Sequence, residues 1–200
     1  MSDAAPQSGV GEWGRRVGLL GGSFNPAHDG HRHISRIALD RLALDEVWWL
    51  VSPQNPLKAA DGLAPLAERM AAARAIADDP RLIVTDIERE LGTIFTVDTV
   101  DALKRRFEHH RFVWLMGADI LVQMPRWRRW YRLFASVPIG VFPRPTYSSR
   151  ALSGTAARRF AGKKIRESQA PLLADMRPPA WVFLRARPHT ASATRIREGR

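Results

Sequence analysis

Two histidines, His28 and His31, follow a glycine pair and a serine in the segment Gly21-Gly22-Ser23-Phe24-Asn25-Pro26-Ala27-His28-Asp29-Gly30-His31. Residues of these types in this order suit an anionic ligand. Glycines let a phosphate approach the backbone, Ser23 adds a hydroxyl, and a helix starting beyond them offers unpaired N–H groups and a positive dipole end. At a spacing of i, i+3 on a first helical turn the two imidazoles share a face and can point at one anion. The segment is neither G-x-G-x-x-G nor G-x-x-x-x-G-K-[ST], so it is neither of the common phosphate loops. A metal site is the competing chemistry, but the chain has no cysteine and no H-E-x-x-H, and Asp29 is the one carboxylate nearby. No protein-held metal is expected.

Such a segment needs a strand before it and a helix after it. Val17 to Leu20 is a short apolar run that ends at the glycines, and Ile34, Ile37, Ala38 and Leu42 then recur at helical spacing. The alternation continues: Val47 to Val51, a helix with Leu66, Met70, Ala73 and Ala77 on one face, and Leu82 to Val84. A helix with Val100, Leu103 and Phe107 aligned comes next, then Phe112 to Met116, Trp130 to Phe134, and Ile139 to Phe142. Short apolar strands alternating with amphipathic helices predict an α/β fold, a doubly wound, Rossmann-like parallel sheet with helices on both faces. The histidine segment then lies at the strand-end edge, where ligands bind in such sheets. Beyond Phe142, Arg144 to Ser149 is turn-like, a helix is expected in the basic segment that follows, Trp181 to Leu184 reads as a last strand, and a short helix is expected from Ser192.

The 200 residues suffice for one substantial core, with 1–14 as a loose lead-in and 15–200 as one domain. No apolar stretch is long enough to cross a bilayer and the start lacks a signal-peptide pattern, so a soluble, cytoplasmic protein without a membrane partner is expected. The net charge of +11 is concentrated at one end: residues 144–200 hold thirteen Lys/Arg against three Asp/Glu. That field attracts polyanions, whether nucleic acid, an acidic membrane or a nucleoside triphosphate, and does not choose among them.

The glycine and histidine segment resembles the G-[TS]-F-x-P-x-H-x-G-H signature of the nucleotidyltransferase superfamily. Further on, Gly92-Thr93-Ile94-Phe95-Thr96-Val97-Asp98-Thr99, Met116-Gly117-Ala118-Asp119 and Gln123-Met124-Pro125-Arg126-Trp127 are similar, in order and spacing, to bacterial nicotinate-nucleotide adenylyltransferases. The resemblance runs from about Val17 to Arg197. It implies that Gly21, Gly22, Ser23 and Phe24 form an ATP-phosphate turn and that His28 and His31 meet the phosphates. It also implies that Gly117 and Asp119 bind near the ATP ribose. Ser192, Thr194 and Arg197, in a segment similar to the family's I-S-S-T-x-I-R, would complete the ATP site. Trp127 would stack on a pyridine ring with the Arg128 N–H and Thr96 beside it, and Lys58 would lie near the mononucleotide phosphate. Ala191 and Ala193 depart from the family pattern, so one hydroxyl contact is replaced or lost; Asn25 stands for a frequent Asp.

The implied partners are ATP and nicotinate mononucleotide, with Mg²⁺ bound through the ATP phosphates. The acceptor phosphate is already anionic near neutral pH, so the protein's work is alignment and charge stabilisation rather than nucleophilic catalysis. His31 is the expected donor to the α-phosphate. A pantetheine-phosphate adenylyltransferase, or one preferring the nicotinamide nucleotide, is the near alternative. A basic nucleic-acid-binding domain built on Arg126, Trp127, Arg128, Arg129, Trp130 and Arg132 is the remote one. That account gives the histidine segment no role, so no nucleic-acid partner is expected.

Overall fold

The structure, a computed structural model, describes residues 14–53, 62–187 and 196. Six strands form one sheet: β1 (Arg16–Gly22), β2 (Glu46–Val51), β3 (Leu82–Thr85), β4 (Arg111–Gly117), β5 (Ile139–Phe142) and β6 (Trp181–Phe183). Their order is β3-β2-β1-β4-β5-β6 and every pairing is parallel. Consecutive strands step outward one way from β1 to β3, then the other way from β4 to β6. The switch point therefore lies between β1 and β4, where a crevice opens at the carboxyl ends of the strands.

Strand alternation builds two cores. Leu19, Trp48 and Trp114 face one side, and Leu20, Trp49 and Leu115 the other. Against the second face pack α1 (Asp29–Arg41), through Ile34, Ala38 and Leu39, and α2 (Leu66–Ile76), through Met70 and Ala73. A 3₁₀ segment, Glu167–Asp175, closes that face. The first face is covered by α3 (Ile87–Glu90), α4 (Thr96–Arg106), α5 (Ala118–Gln123), α6 (Trp130–Ser136), α7 (Ser148–Ser153) and α8 (Thr155–Arg159). Both sheet faces are thus buried, which is why the strands read as continuous apolar runs; all six residues of β2 are buried.

The expected single helix in the basic segment is instead two, α7 and α8. Gly154, with extended backbone (φ −72°, ψ 167°), ends one and begins the other. The helix expected from Ser192 and the lead-in up to residue 13 lie outside the described residues. Among the described residues no helix is long and apolar enough to cross a membrane.

Candidate active site

β1 ends at Gly22 and α1 begins at Asp29, so residues 23–28 turn at the switch point. Gly21 is accounted for by packing as well as by ligand access, because a Cβ there would lie 2.6 Å from Cη2 of Trp114. Phe24 adopts φ +47° although it is not glycine, a conformation that persists only when its surroundings hold it. Its ring is buried, stacked on Trp49 at 5.3 Å and 4.6 Å from the His31 ring. Its N–H has no acceptor among the described residues.

His28 is not on the first helical turn, as its spacing from His31 suggested. It is the N-cap of α1, with extended backbone (φ −155°, ψ 166°), and the Gly30 N–H donates to its Nδ1 at 3.1 Å. The His28 N–H in turn donates to Nδ1 of His31 at 3.2 Å, completing a capping box of two imidazoles. The rings nonetheless lie close together, 3.9 Å between centroids and tilted by 32°. Because both Nδ1 atoms accept, the ring proton of each neutral histidine sits on Nε2, which makes Nε2 the donor. Burial, then the neighbouring His28 and the Arg144 charge, holds the His31 pKa well below the usual histidine value, so His31 is neutral at pH 7.

On the other side of the switch point, Gly117 ends β4 and caps α5, and Asp119 is in the first turn of α5. Arg144, just past β5, brings its Nε to 3.6 Å from Asp119 Oδ1, and that oxygen has no hydrogen-bond donor. A Cβ at Gly117 would collide with Asp119 Oδ1 and stand 3.0 Å from Arg144 Nε. Beside Arg144 is a small cavity, open to solvent, lined by Gly30, His33, Ile34, Phe142, Arg144 and Arg187, among others. Sequence reasoning missed Arg144 and this cavity; a basic residue directly beyond β5, on the ligand edge, was the available signal.

A third group gathers around Trp127. It follows a 3₁₀ turn, Met124–Arg126, and is half-buried, its ring edge-on to Trp114 at 6.5 Å. The Arg128 guanidinium lies over the Phe95 ring at 4.5 Å, so the segment bearing Trp127 is fastened to the start of α4, where Thr96 sits. Neither the Thr96 hydroxyl nor the Arg128 N–H has a partner among the described residues. Thr99 has a different job from Thr96. It is buried, with Oγ1 2.9 Å from Thr93 Oγ1, 3.2 Å from Glu88 Oε1 and 3.3 Å from the Phe95 carbonyl. Burial pushes the Glu88 carboxyl pKa up, opposed by hydrogen bonds from Thr99 and Ser52.

The structure thus brings together Gly21, Gly22, Ser23, Phe24, His28, His31, Gly117 and Asp119 around the switch point, with Trp127, Arg128 and Thr96 joined to them through Trp114. Lys58, Ser192, Thr194 and Arg197 lie outside the described residues. The arrangement offers the neutral Nε2–H of His31, an unpaired backbone N–H at a strained turn and the positive charge of Arg144 to a polyanion, with a half-buried aromatic ring near by.

The sequence matches the cytidylyltransferase-like family over residues 19–199. It is 53% identical over 182 residues, covering 91% of this chain and 95% of the relative, to the "Probable nicotinate-nucleotide adenylyltransferase" of Bradyrhizobium sp. strain ORS 278. A protein of the same description from Gluconobacter oxydans strain 621H is 54% identical over 92% of this chain and 94% of its own length. Among solved structures, the fold is similar to Plasmodium falciparum nicotinic acid mononucleotide adenylyltransferase complexed with NaAD. That match has a TM-score of 0.67 at 16% identity over 92% of this chain and 83% of the other.

Proposed function

The chain belongs to the nicotinate-nucleotide adenylyltransferases of the cytidylyltransferase-like family, and from that membership and its site we infer the reaction: AMP passes from ATP to nicotinate mononucleotide. An oxygen of the mononucleotide 5′-phosphate attacks the α-phosphorus of ATP. One P–O bond forms, the bond from the α-phosphorus to the bridging oxygen breaks, and pyrophosphate leaves as the dinucleotide is made.

The observation that carries this reading is the imidazole capping box beside the strained turn at the switch point. His31 Nε2 donates to the α-phosphate as charge builds there, a role that needs a neutral, fixed donor rather than a proton transfer. His28 holds the His31 tautomer and closes the turn. Ser23 and the Phe24 N–H take ATP phosphate oxygens, and Asp119 accepts from a ribose hydroxyl. Trp127 stacks on the pyridine ring, and the Thr96 hydroxyl with the Arg128 N–H binds its carboxylate. Lys58 is assigned to the mononucleotide phosphate, and Ser192, Thr194 and Arg197 to ATP, by family resemblance. Mg²⁺ arrives on the ATP phosphates. Pyrophosphate release from Mg-ATP, assayed in parallel with nicotinate mononucleotide, nicotinamide mononucleotide and phosphopantetheine, tests the reading; release with phosphopantetheine alone would overturn it.

A further inference from the structure

Arg69 is a buried cation with no carboxylate in its hydrogen-bond set. It projects from the first turn of α2, is 2% exposed, and spends four donor contacts on backbone carbonyls. Nε donates to Ala64 O at 2.9 Å, Nη1 to Ser23 O at 2.7 Å and to Ser52 O at 2.8 Å, and Nη2 to Pro53 O at 3.0 Å. Three separate pieces of chain meet there: the turn after β1, the end of β2, and the entry to α2. Asn25 joins the first and third again, donating to Gly62 O at 2.8 Å and accepting from the Ala64 N–H at 3.2 Å.

One of these carbonyls matters for the chemistry. In a trans peptide the C=O of Ser23 and the N–H of Phe24 point in opposite directions. With the carbonyl held by Arg69, the Phe24 N–H is turned away from Arg69, and it is the N–H that has no acceptor. Phe24 pays for this orientation with φ +47°. Left alone, such a residue relaxes to negative φ, which rotates the same peptide plane.

We propose that Arg69 is a positioning residue for ATP: by holding the Ser23 carbonyl it keeps the Phe24 N–H aimed outward as a phosphate donor, without touching the substrate itself. The inference rests on the adenylyltransferase reading above. A lysine keeps the charge but is a point donor, and cannot span four carbonyls as a planar five-donor fork does.

The test is Arg69→Lys, with KM measured for each substrate and the melting temperature alongside. The expected result is a folded protein whose KM for Mg-ATP rises at least about tenfold, while that for nicotinate mononucleotide changes less than about threefold. In Arg69→Ala, millimolar methylguanidinium should restore part of the loss for ATP. Equal rises in both KM values, or a lowered melting temperature with both values unchanged, would reduce Arg69 to a structural strut and overturn the proposal. Should neither variant fold, amide exchange at Phe24 in the wild-type protein decides. Slowing by Mg-ATP and not by the mononucleotide supports the proposal; no slowing by Mg-ATP overturns it. Wild-type protein that releases no pyrophosphate with any acceptor would instead refute the functional reading.

Discussion

At His31 the capping box and the pKa shift make the same point, that the ring is a fixed neutral donor. Nδ1 is occupied by the His28 N–H, and burial keeps the second proton off. Replacing His31 by Ala should therefore cut kcat by at least about a hundredfold, the scale for losing one donor at a developing charge, with a smaller effect on ATP binding. Single-turnover rates and calorimetric ATP affinity separate the two; near-normal turnover in a folded variant would falsify the role. The same depressed pKa has a consequence for stability. In the unfolded chain His31 takes up a proton near pH 6.5, and in the folded protein only at much lower pH. Its contribution is thus intact above pH 6.5 and is lost as pH falls below it, by at most about 1.4 kcal/mol per pH unit. Melting temperatures at pH 7.5, 6.5 and 5.5 should fall more steeply for the wild type than for His31→Gln. Parallel curves would place the titration elsewhere.

At the level of elements, the mononucleotide side depends on how α4 is anchored. Thr99, one turn into α4, ties it to Glu88 on α3 and to Thr93, and Glu88 reaches Ser52 at the end of β2. Thr99→Val keeps the shape and removes the hydroxyl, leaving buried oxygens short of a partner, at a cost of about 1–3 kcal/mol. Because Thr96 opens the same helix, the KM for nicotinate mononucleotide should rise more than that for ATP. Urea unfolding and the two KM values check this, and unchanged stability would count against the network. The long periodic helices α1, α2 and α4 and the apolar strands were legible in the sequence because burial imposes a period on them. α3 was not, since four residues cannot show a helical period. The His28 cap was hidden because histidine is not a usual N-cap and the i, i+3 spacing equally fits a first turn. Arg69 was hidden too, although an arginine between Leu66 and Ala73, beside Met70 on the apolar stripe, was a signal. Which carbonyls it would hold is set by three segments distant in sequence.

On the scale of the whole molecule, the formal charge of +11 acts on substrates that differ in charge. Nicotinate mononucleotide carries a ring carboxylate that its nicotinamide counterpart lacks. Two effects then favour the acid, and salt distinguishes them. The local one is hydrogen bonding: the Thr96 hydroxyl and the Arg128 N–H are both donors without partners among the described residues. A carboxylate accepts a charge-assisted bond from each, whereas a carboxamide takes the Arg128 N–H on its oxygen and donates its NH₂ to the Thr96 hydroxyl, making two neutral bonds instead. Hydrogen bonds to a charged group contribute about 1.5–3 kcal/mol each against about 0.5–1.5 kcal/mol for neutral ones, so kcat/KM should favour nicotinate mononucleotide by roughly tenfold to a hundredfold. The long-range effect is the field of the basic protein, which weakens over a Debye length of about 10 Å at 0.1 M salt and about 3 Å at 1 M. Raising the salt should therefore lower kcat/KM for both nucleotides, somewhat more for the doubly anionic acid, yet leave most of the preference in place because hydrogen bonds in the pocket are not screened. A preference that vanishes at high salt would assign selectivity to the field rather than to Thr96 and Arg128. Equal values at every salt concentration would mean that the carboxylate does not bind between them.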